Sequence, residues 1–306
     1  MKGDNVMHDE TSAGPPLRFA EILNKQGYPF QYAALGKAKE LFERHKSTWY
    51  FEVSEFPVGG DTKTTHIDFI LRRNNTPFLL CVECKRADPS VKDWCFATAP
   101  YVYRNCPYDK VTADHISKQE GEWRCMAVEL QGLGRQPIYH IGLEVRAPKG
   151  TGNKPDDLGR PMAVNEAAGQ VCKGTNGLID FFLRNPCATG ESKQAVVIPA
   201  VFTTARVWTT DARLDKADIE TGVLDAGLCG LTRCDFVLYQ YHLSTAIKHS
   251  GVGGSSYRDL PEVLASEFTR TVAVVSSTGI EPFLRSFVPD VNDITPIYRP
   301  YGGTFR

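Results

Sequence analysis

The chain has 306 residues, of which 35 are Lys or Arg and 36 are Asp or Glu, giving a formal net charge of −1. Hydrophobic residues make up 42% and charged residues 23%, a globular composition that excludes collagen, coiled coils and wholesale disorder. No apolar run approaches the ~18 residues of a membrane span, and the first residues lack the apolar stretch of a signal peptide. The nine cysteines follow no disulfide-like spacing, so we expect a cytoplasmic protein with reduced thiols and no membrane partner.

The first part of the chain predicts a helix followed by three strands. Residues 1–16 are polar and end in Gly-Pro-Pro, so we expect a mobile tail. A helix is predicted over residues 29–46, because apolar side chains recur at helical spacing behind a proline in the first turn. Strands are predicted over residues 49–56, 66–71 and 78–82, which are separated by turn sequences. The third strand is apolar on both faces, which predicts an interior position in its sheet.

Residues 86–163 form an insertion between the third strand and the next clear helix. Within it, residues 91–103 are predicted to form a helix, and residues 124–130 and 138–145 a pair of strands. Residues 148–161 are dense in Gly, Pro and charged side chains. That composition predicts a loop that can act as a mobile flap.

Regular elements return after the insertion. A helix is predicted over residues 164–183 and a buried strand over residues 195–205. Further strands are predicted over residues 206–213, 235–243 and 270–276, and a short helix over residues 279–287. This order predicts a mixed α/β fold with one sheet flanked by helices. We expect a single domain over residues 17–306 with a strand-rich C-terminal extension over residues 206–306.

Two carboxylates and a lysine stand where the third strand ends. Side chains alternate faces along a strand, so Glu83 and Lys85 share one face at the end of an apolar run. Asp68 lies on the preceding strand across a short hairpin, so its carboxylate can approach that of Glu83. Two carboxylates so close repel each other unless a cation lies between them, and Mg²⁺ suits that position. Such a metal can activate a bound water as a nucleophile, which Lys85 can orient or assist by stabilising phosphate charge.

Roughly residues 28–205 resemble the PD-(D/E)xK nuclease superfamily, which has the restriction-endonuclease-like fold. The resemblance rests on Asp68 followed by Glu83-Cys84-Lys85, and on the order of helix, three strands, helix and strand. It implies a nuclease that hydrolyses phosphodiester bonds with Mg²⁺ or Mn²⁺, with Asp68 and Glu83 as metal ligands and Lys85 as a catalytic residue. The family often carries a Gln on the helix after the third strand, and the resemblance gives that role to Gln170.

The substrate that this resemblance implies is nucleic acid, with DNA favoured over RNA, and bacterial relatives by fold often act in defence against foreign DNA. Residues 50–106 further resemble a group of uncharacterised bacterial nuclease-like proteins, which adds no mechanism. Arg86 directly follows the motif, and Lys149, Lys154 and Arg160 lie in the charged loop of the insertion. We expect these four side chains to bind the substrate, the loop residues through its phosphates.

The carboxylate that this family usually places on its first helix is not obvious here. Glu40 and Glu43 point away from the apolar stripe of the predicted helix, whereas Gln31 lies at its edge and can face the site. Glu52 and Glu55 on the first strand point to opposite faces, and the sequence does not decide between them. The alternative function is therefore a catalytically inactive nuclease-fold protein that binds nucleic acid or a partner protein. That partner is a second copy of the chain or an operon-encoded protein.

The Cys81-Val-Glu-Cys84 sequence has the spacing of a zinc knuckle but not its geometry. A knuckle needs both sulfurs on one side of a turn. On a strand, residues three apart point to opposite faces, so we expect two core thiols.

Overall fold

The computed structural model describes residues 15–59, 65–87, 92–99, 110–119, 121–133, 137–145, 163–189, 193–243 and 268–297. It is a mixed α/β protein with two sheets and few helices. The strand-rich C-terminal part supplies strands to both sheets. None of the helices in these ranges is long and apolar enough to cross a membrane.

Four α-helices lie in the described ranges, and the first was not predicted. They are α1 (Pro15–Gln26), α2 (Tyr28–Glu43), α3 (Ala163–Arg184) and α4 (Ile280–Ser286). The expected tail over residues 1–16 is therefore wrong at its end, because Pro15 and Pro16 begin a helix, where a missing N–H costs nothing. The rest of that tail, residues 1–14, lies outside the described residues. Gly27 joins α1 to α2 in a left-handed conformation with a φ of 82°.

The three strands after α2 are all present and are longer than predicted. The strands, in chain order, are β1 (Trp49–Val58), β2 (Thr65–Arg73), β3 (Phe78–Lys85), β4 (Asp93–Ala97), β5 (Thr112–Gln119), β6 (Glu122–Leu130), β7 (Ile138–Tyr139), β8 (Ile141–Val145), β9 (Gln194–Thr203), β10 (Arg206–Thr210), β11 (Leu231–Cys234), β12 (Phe236–His242), β13 (Thr269–Ser276) and β14 (Ile294–Pro296). The larger sheet runs β1-β2-β3-β9-β13-β12-β7, with β5, β6 and β14 on a side branch. Because β3 pairs with β2 on one edge and with β9 on the other, its predicted interior position is confirmed.

Several expectations about the insertion are corrected. The helix predicted over residues 91–103 is wrong where the structure describes it, because Asp93–Ala97 forms β4, with Trp94 and Phe96 fully buried. Strands form at the predicted positions 124–130 and 138–145, but they do not pair with each other. β6 pairs with β5 and β14, whereas β8 pairs with β4. The prediction of a single sheet is also wrong, since a second sheet is formed by β11, β10, β4 and β8.

The larger sheet divides in two along one edge of β9. The first half of β9 pairs with β5 up to Val197, and its second half pairs with β13 from Ala200 onward. Pro199, which has no N–H to donate, lies between these two stretches. We call this branching point the fork.

Buried polar groups hold the two branches of the fork together. The guanidinium of Arg270 on β13 donates a hydrogen bond of 2.8 Å to one carboxylate oxygen of Asp114 on β5, and forms an ion pair of 2.7 Å with the other. Both side chains are almost completely buried, with 3% and 1% of their surface exposed. Beside them, Thr112 and Thr271 exchange backbone-to-hydroxyl hydrogen bonds of 2.8 and 3.0 Å. Strands that share no ladder are thus joined through side chains.

Each face of the larger sheet carries its own apolar core. One face packs Phe69, Leu80 and Val82 against α2 and α4, and the other packs Leu79 and Cys81 against α3. Cys84 packs against the α2 face, so the prediction that Cys81 and Cys84 point to opposite faces is confirmed. The eight cysteines in the described ranges all carry free thiols.

Candidate functional site

The two carboxylates and the lysine lie together where β3 ends. Phe69 of β2 pairs with Val82 of β3 in an antiparallel ladder, so Asp68 and Glu83 occupy the next position beyond that pair. An Asp68 carboxylate oxygen accepts a hydrogen bond from the backbone N–H of Cys84 at 2.6 Å. The ammonium of Lys85 lies 3.2 Å from a carboxylate oxygen of Glu83. We call this group of side chains and its immediate neighbours the candidate site.

Negative charge at the candidate site exceeds what its neighbours neutralise. Burial and the Glu83 carboxylate raise the pKa of Asp68 to about 7, against the lowering effect of the Cys84 N–H. Burial also raises the pKa of Glu83, although the neighbouring Lys85 ammonium opposes the change. The carboxylates of Glu166 and Glu55 raise the pKa of Glu83 further. Such a set of carboxylates is stabilised by any added cation.

Helix α2 contributes an amide to the candidate site. Gln31 is buried, with only 5% of its surface exposed. Its side-chain N–H groups donate to the carboxylate of Glu55 and, at 3.3 Å, to the backbone carbonyl of Asp68. Gln31, predicted to lie at the edge of the apolar stripe, therefore reaches the backbone of Asp68 and the side chain of Glu55. Its position on α2 is the one where the sequence lacked an obvious acid.

Glu55 is the first-strand carboxylate that reaches this region. Its backbone has a φ of 53°, a left-handed conformation that side-chain-bearing residues seldom adopt in a strand. Residues in this conformation cost about 1–3 kcal/mol and are concentrated at functional sites. Glu52 is bound instead by Arg72 at 2.8 Å. On α2, Glu40 pairs with Arg44 at 2.8 Å.

Helix α3 brings one residue that the sequence interpretation missed. Glu166 in its first turn lies close enough to Glu83 to raise the pKa of that carboxyl. Gln170, the predicted residue, is exposed and lies one turn further along the same helix face. The signal that would have found Glu166 is this spacing of four residues, which places it on the face expected for Gln170.

The four predicted substrate-binding residues are only partly described. Arg86 is exposed, and its guanidinium donates to the backbone carbonyl of Asn24 near the end of α1. Lys149, Lys154 and Arg160 lie outside the described residues. The side chains of Lys85 and Arg86 are thus the described positive charges at the end of β3.

The donors at the candidate site suit a hard divalent cation. Asp68 and Glu83 offer carboxylate oxygens, which Mg²⁺ and Mn²⁺ prefer, and Mg²⁺ sites commonly use only one or two carboxylates with water. Among the described residues, no three side chains of His, Cys, Asp or Glu are close enough together to hold a metal ion. A metal ion bound here would therefore have at most two such ligands from the described residues.

Comparison with known proteins adds no relative to this picture. No family model matches the chain, and no curated protein or solved structure matches it either. The side chains at the end of β3 are consequently the basis for assigning a function.

Proposed function

We propose that this protein is a metal-dependent hydrolase of phosphodiester bonds. The observation that carries the proposal is the placement of Asp68 and Glu83 just beyond the last pair of the β2–β3 ladder, with the Lys85 ammonium 3.2 Å from Glu83. Two carboxylates and one lysine are the groups needed to hold a hard cation beside a reacting phosphate. More particularly, we propose a nuclease, with DNA favoured over RNA as the substrate.

The order of the elements around the site supports the same proposal. With β4 to β8 set aside as an insertion between β3 and α3, the elements α2, β1 to β3, α3 and β9 run in the order helix, three strands, helix and strand. This is the order of the restriction-endonuclease-like core that the sequence resembles, with the site at the end of its third strand. The proposed role in defence against foreign DNA rests on that resemblance.

Each side chain of the candidate site has a role in the proposed reaction. Asp68 and Glu83 would hold Mg²⁺ or Mn²⁺, which when bound supplies an activated water and neutralises charge on the phosphate. Lys85 would orient the attacking water and stabilise negative charge on the phosphoryl oxygens. Gln31 holds the Glu55 carboxylate and the Asp68 backbone in place.

A second candidate function is nucleic-acid binding without cleavage. Two observations favour it: the helix facing the site supplies the amide of Gln31 where the family usually has a carboxylate, and no three-residue metal group occurs in the described ranges. The protein would then bind nucleic acid without cleaving it, because the site would hold no metal ion to activate water.

The test is cleavage of plasmid and oligonucleotide DNA in Mg²⁺, Mn²⁺, Ca²⁺ or EDTA. We expect cleavage in Mg²⁺ or Mn²⁺, none in EDTA, and none by Glu83→Gln, which removes one proposed ligand. Glu52→Gln is the matched control, because Glu52 is a glutamate of the neighbouring hairpin that pairs with Arg72. Calorimetry with Mn²⁺ should detect binding to the parent and the control but not to Glu83→Gln. Binding of DNA without cleavage in any metal would favour the second candidate function.

A further inference from the structure

Exposed aromatic side chains in the described part of the chain are confined to one place. Phe19, Tyr28 and Tyr32 are 62%, 47% and 54% exposed, and they lie on α1 and the beginning of α2. The other large apolar side chains exposed in the described ranges are aliphatic. We call these three residues on consecutive helices the aromatic corner.

The aromatic corner borders the candidate site. Tyr28 and Tyr32 are four residues apart on α2, so they share one face, and Gln31 lies between them in the sequence on the adjacent, buried face. Gln31 contacts the Asp68 backbone and the Glu55 carboxylate. From the other side, the hydrogen bond of Arg86 to the Asn24 carbonyl connects α1 to the end of β3.

Helix α1 has little of its surface covered. Between residues 18 and 26 only Leu23 is half-buried, and every other side chain is exposed. A helix of about twelve residues is only marginally stable by itself, so a ligand lying on it would contribute to its stability. Positive charges exceed negative ones on and beside this helix, with Arg18, Lys25 and Arg86 against Glu21. This excess favours a negatively charged ligand.

We infer that the aromatic corner binds an unpaired nucleic-acid strand beside the candidate site, by stacking bases on Tyr28, Tyr32 and Phe19. This inference rests on the proposed function and names its substrate class, which is single-stranded or locally unpaired nucleic acid. Aromatic side chains interspersed with basic residues bind such strands, because every base has a face on which a ring can stack. In an intact duplex those faces are covered by neighbouring base pairs, so a duplex cannot use this surface.

The test is fluorescence anisotropy with a labelled oligothymidine of about 20 nucleotides and a hairpin duplex of the same length, in Ca²⁺ and without Mg²⁺. We expect the parent protein to bind the single strand more tightly than the hairpin. Tyr28→Ala with Tyr32→Ala should weaken single-strand binding by roughly 10- to 100-fold and leave hairpin binding unchanged. Tyr28→Phe with Tyr32→Phe should bind like the parent, because the rings are kept. The matched control is Ile219→Ala with Val223→Ala, two exposed apolar residues in the connection before β11, which should also bind like the parent.

Cleavage of the same oligonucleotides in Mg²⁺ separates this inference from the proposed function. If the double alanine variant binds the single strand as the parent does, the inference about the aromatic corner is wrong, even if cleavage depends on Glu83. Single-strand binding that depends on the tyrosines, together with cleavage unaffected by Glu83→Gln, would support the corner and overturn the proposed active site. A change from dimer to monomer in the double alanine variant, with oligothymidine binding unchanged, would overturn the inference and assign the corner to a second copy of the chain.

Discussion

The fork and the candidate site are two clusters of charged groups on one sheet, and they are built in opposite ways. At the fork, one guanidinium meets one carboxylate in a hydrogen bond and an ion-pair contact, and at most 3% of either side chain is exposed. At the candidate site, the Lys85 ammonium pairs with Glu83 beside the second carboxylate of Asp68, and the side chains of Glu83 and Lys85 are 15% and 29% exposed. The fork is closed and neutral, whereas the site is open and has an excess of negative charge.

This difference separates a cluster that fixes structure from one that can receive a ligand. In a buried pair the two opposite charges neutralise each other, and removing either one leaves the other uncompensated in the core. A partly exposed group of carboxylates whose pKa values are raised is less stable without a cation than with one. Substitutions at the two clusters should therefore affect different properties, stability at the fork and activity at the site.

Lys85→Ala should give the largest effect, on activity. We expect cleavage to fall by roughly 100- to 1000-fold, because the positive charge beside the reacting phosphate is lost. Initial rates of plasmid nicking in Mg²⁺ measure this, and Lys46→Ala, an exposed lysine paired with Glu281, is the control. Unfolding curves of both variants should match the parent. Parent-like cleavage by Lys85→Ala would place the chemistry elsewhere in the protein.

Arg270→Met should give the largest effect on stability. Removal of the guanidinium takes away the positive charge that neutralises the buried Asp114 carboxylate, which costs about 3–5 kcal/mol in the free energy of unfolding. Adding Asp114→Leu should recover most of that loss, since the uncompensated negative charge is then removed as well. Urea unfolding measures both variants. If the single variant is as stable as the parent, the fork does not depend on this pair.

Asp68→Asn should change how stability depends on pH. The raised pKa of Asp68, about 7 against an ordinary 3.8, means that the folded state binds this proton more tightly than the unfolded state. The stability that the folded state gains from the Asp68 proton is therefore full near pH 4 and is lost as the pH rises through about 7. The parent should accordingly be less stable at pH 8 than at pH 5. Because the repulsion is shared with Glu83, we expect Asp68→Asn to stabilise the protein at pH 8 by about 2 kcal/mol.

Thermal unfolding from pH 5 to 8 tests this expectation. Asn can still accept the Cys84 N–H, so the local hydrogen bond is retained in the variant. Mg²⁺ should raise the unfolding temperature of the parent at pH 8 more than that of Asp68→Asn. Identical pH profiles for the two proteins would show that Asp68 is ionised in the folded state as it is in the unfolded chain.

Arg124→Ala should have the smallest effect. Arg124 pairs with Glu122 at 3.0 Å, but 47% and 73% of these side chains are exposed. Exposed ion pairs contribute about 0–1 kcal/mol, because water already solvates both charges. Urea unfolding should therefore give a change below about 0.5 kcal/mol. A loss as large as that at the fork would mean that burial is not what separates the two kinds of pair.

The sequence was informative where the chemistry is local. The apolar run of β3 and the alternation of its side chains were enough to place Glu83 and Lys85 at a strand end, with Asp68 across the hairpin. The apolar stripe of α2 predicted that Gln31 lies at its edge, from which it contacts the Asp68 backbone.

Features that depend on distant parts of the chain were not predictable. The fork requires β9 to pair with strands from both sides of it in the sequence, and no local pattern encodes that. The segment of β4 was predicted to be helical because a short apolar run fits the spacing of a helix as well as that of a strand. Its burial within the second sheet makes it a strand. The left-handed backbone of Glu55 departs from what its residue type prefers, so only the fold could reveal it.

The fork also sets the order in which the molecule can be assembled during synthesis. β3, which carries the candidate site, leaves the ribosome long before its partner β9. The second half of β9 then stays unpaired on one edge until β13 has been synthesised. Until β13 arrives, β9 has an apolar edge with unpaired backbone groups, the kind of edge that promotes aggregation. Chains that stop before residue 269 are therefore expected to collect as insoluble or degraded fragments. The proposed cleavage activity would then arise only in chains that include β13.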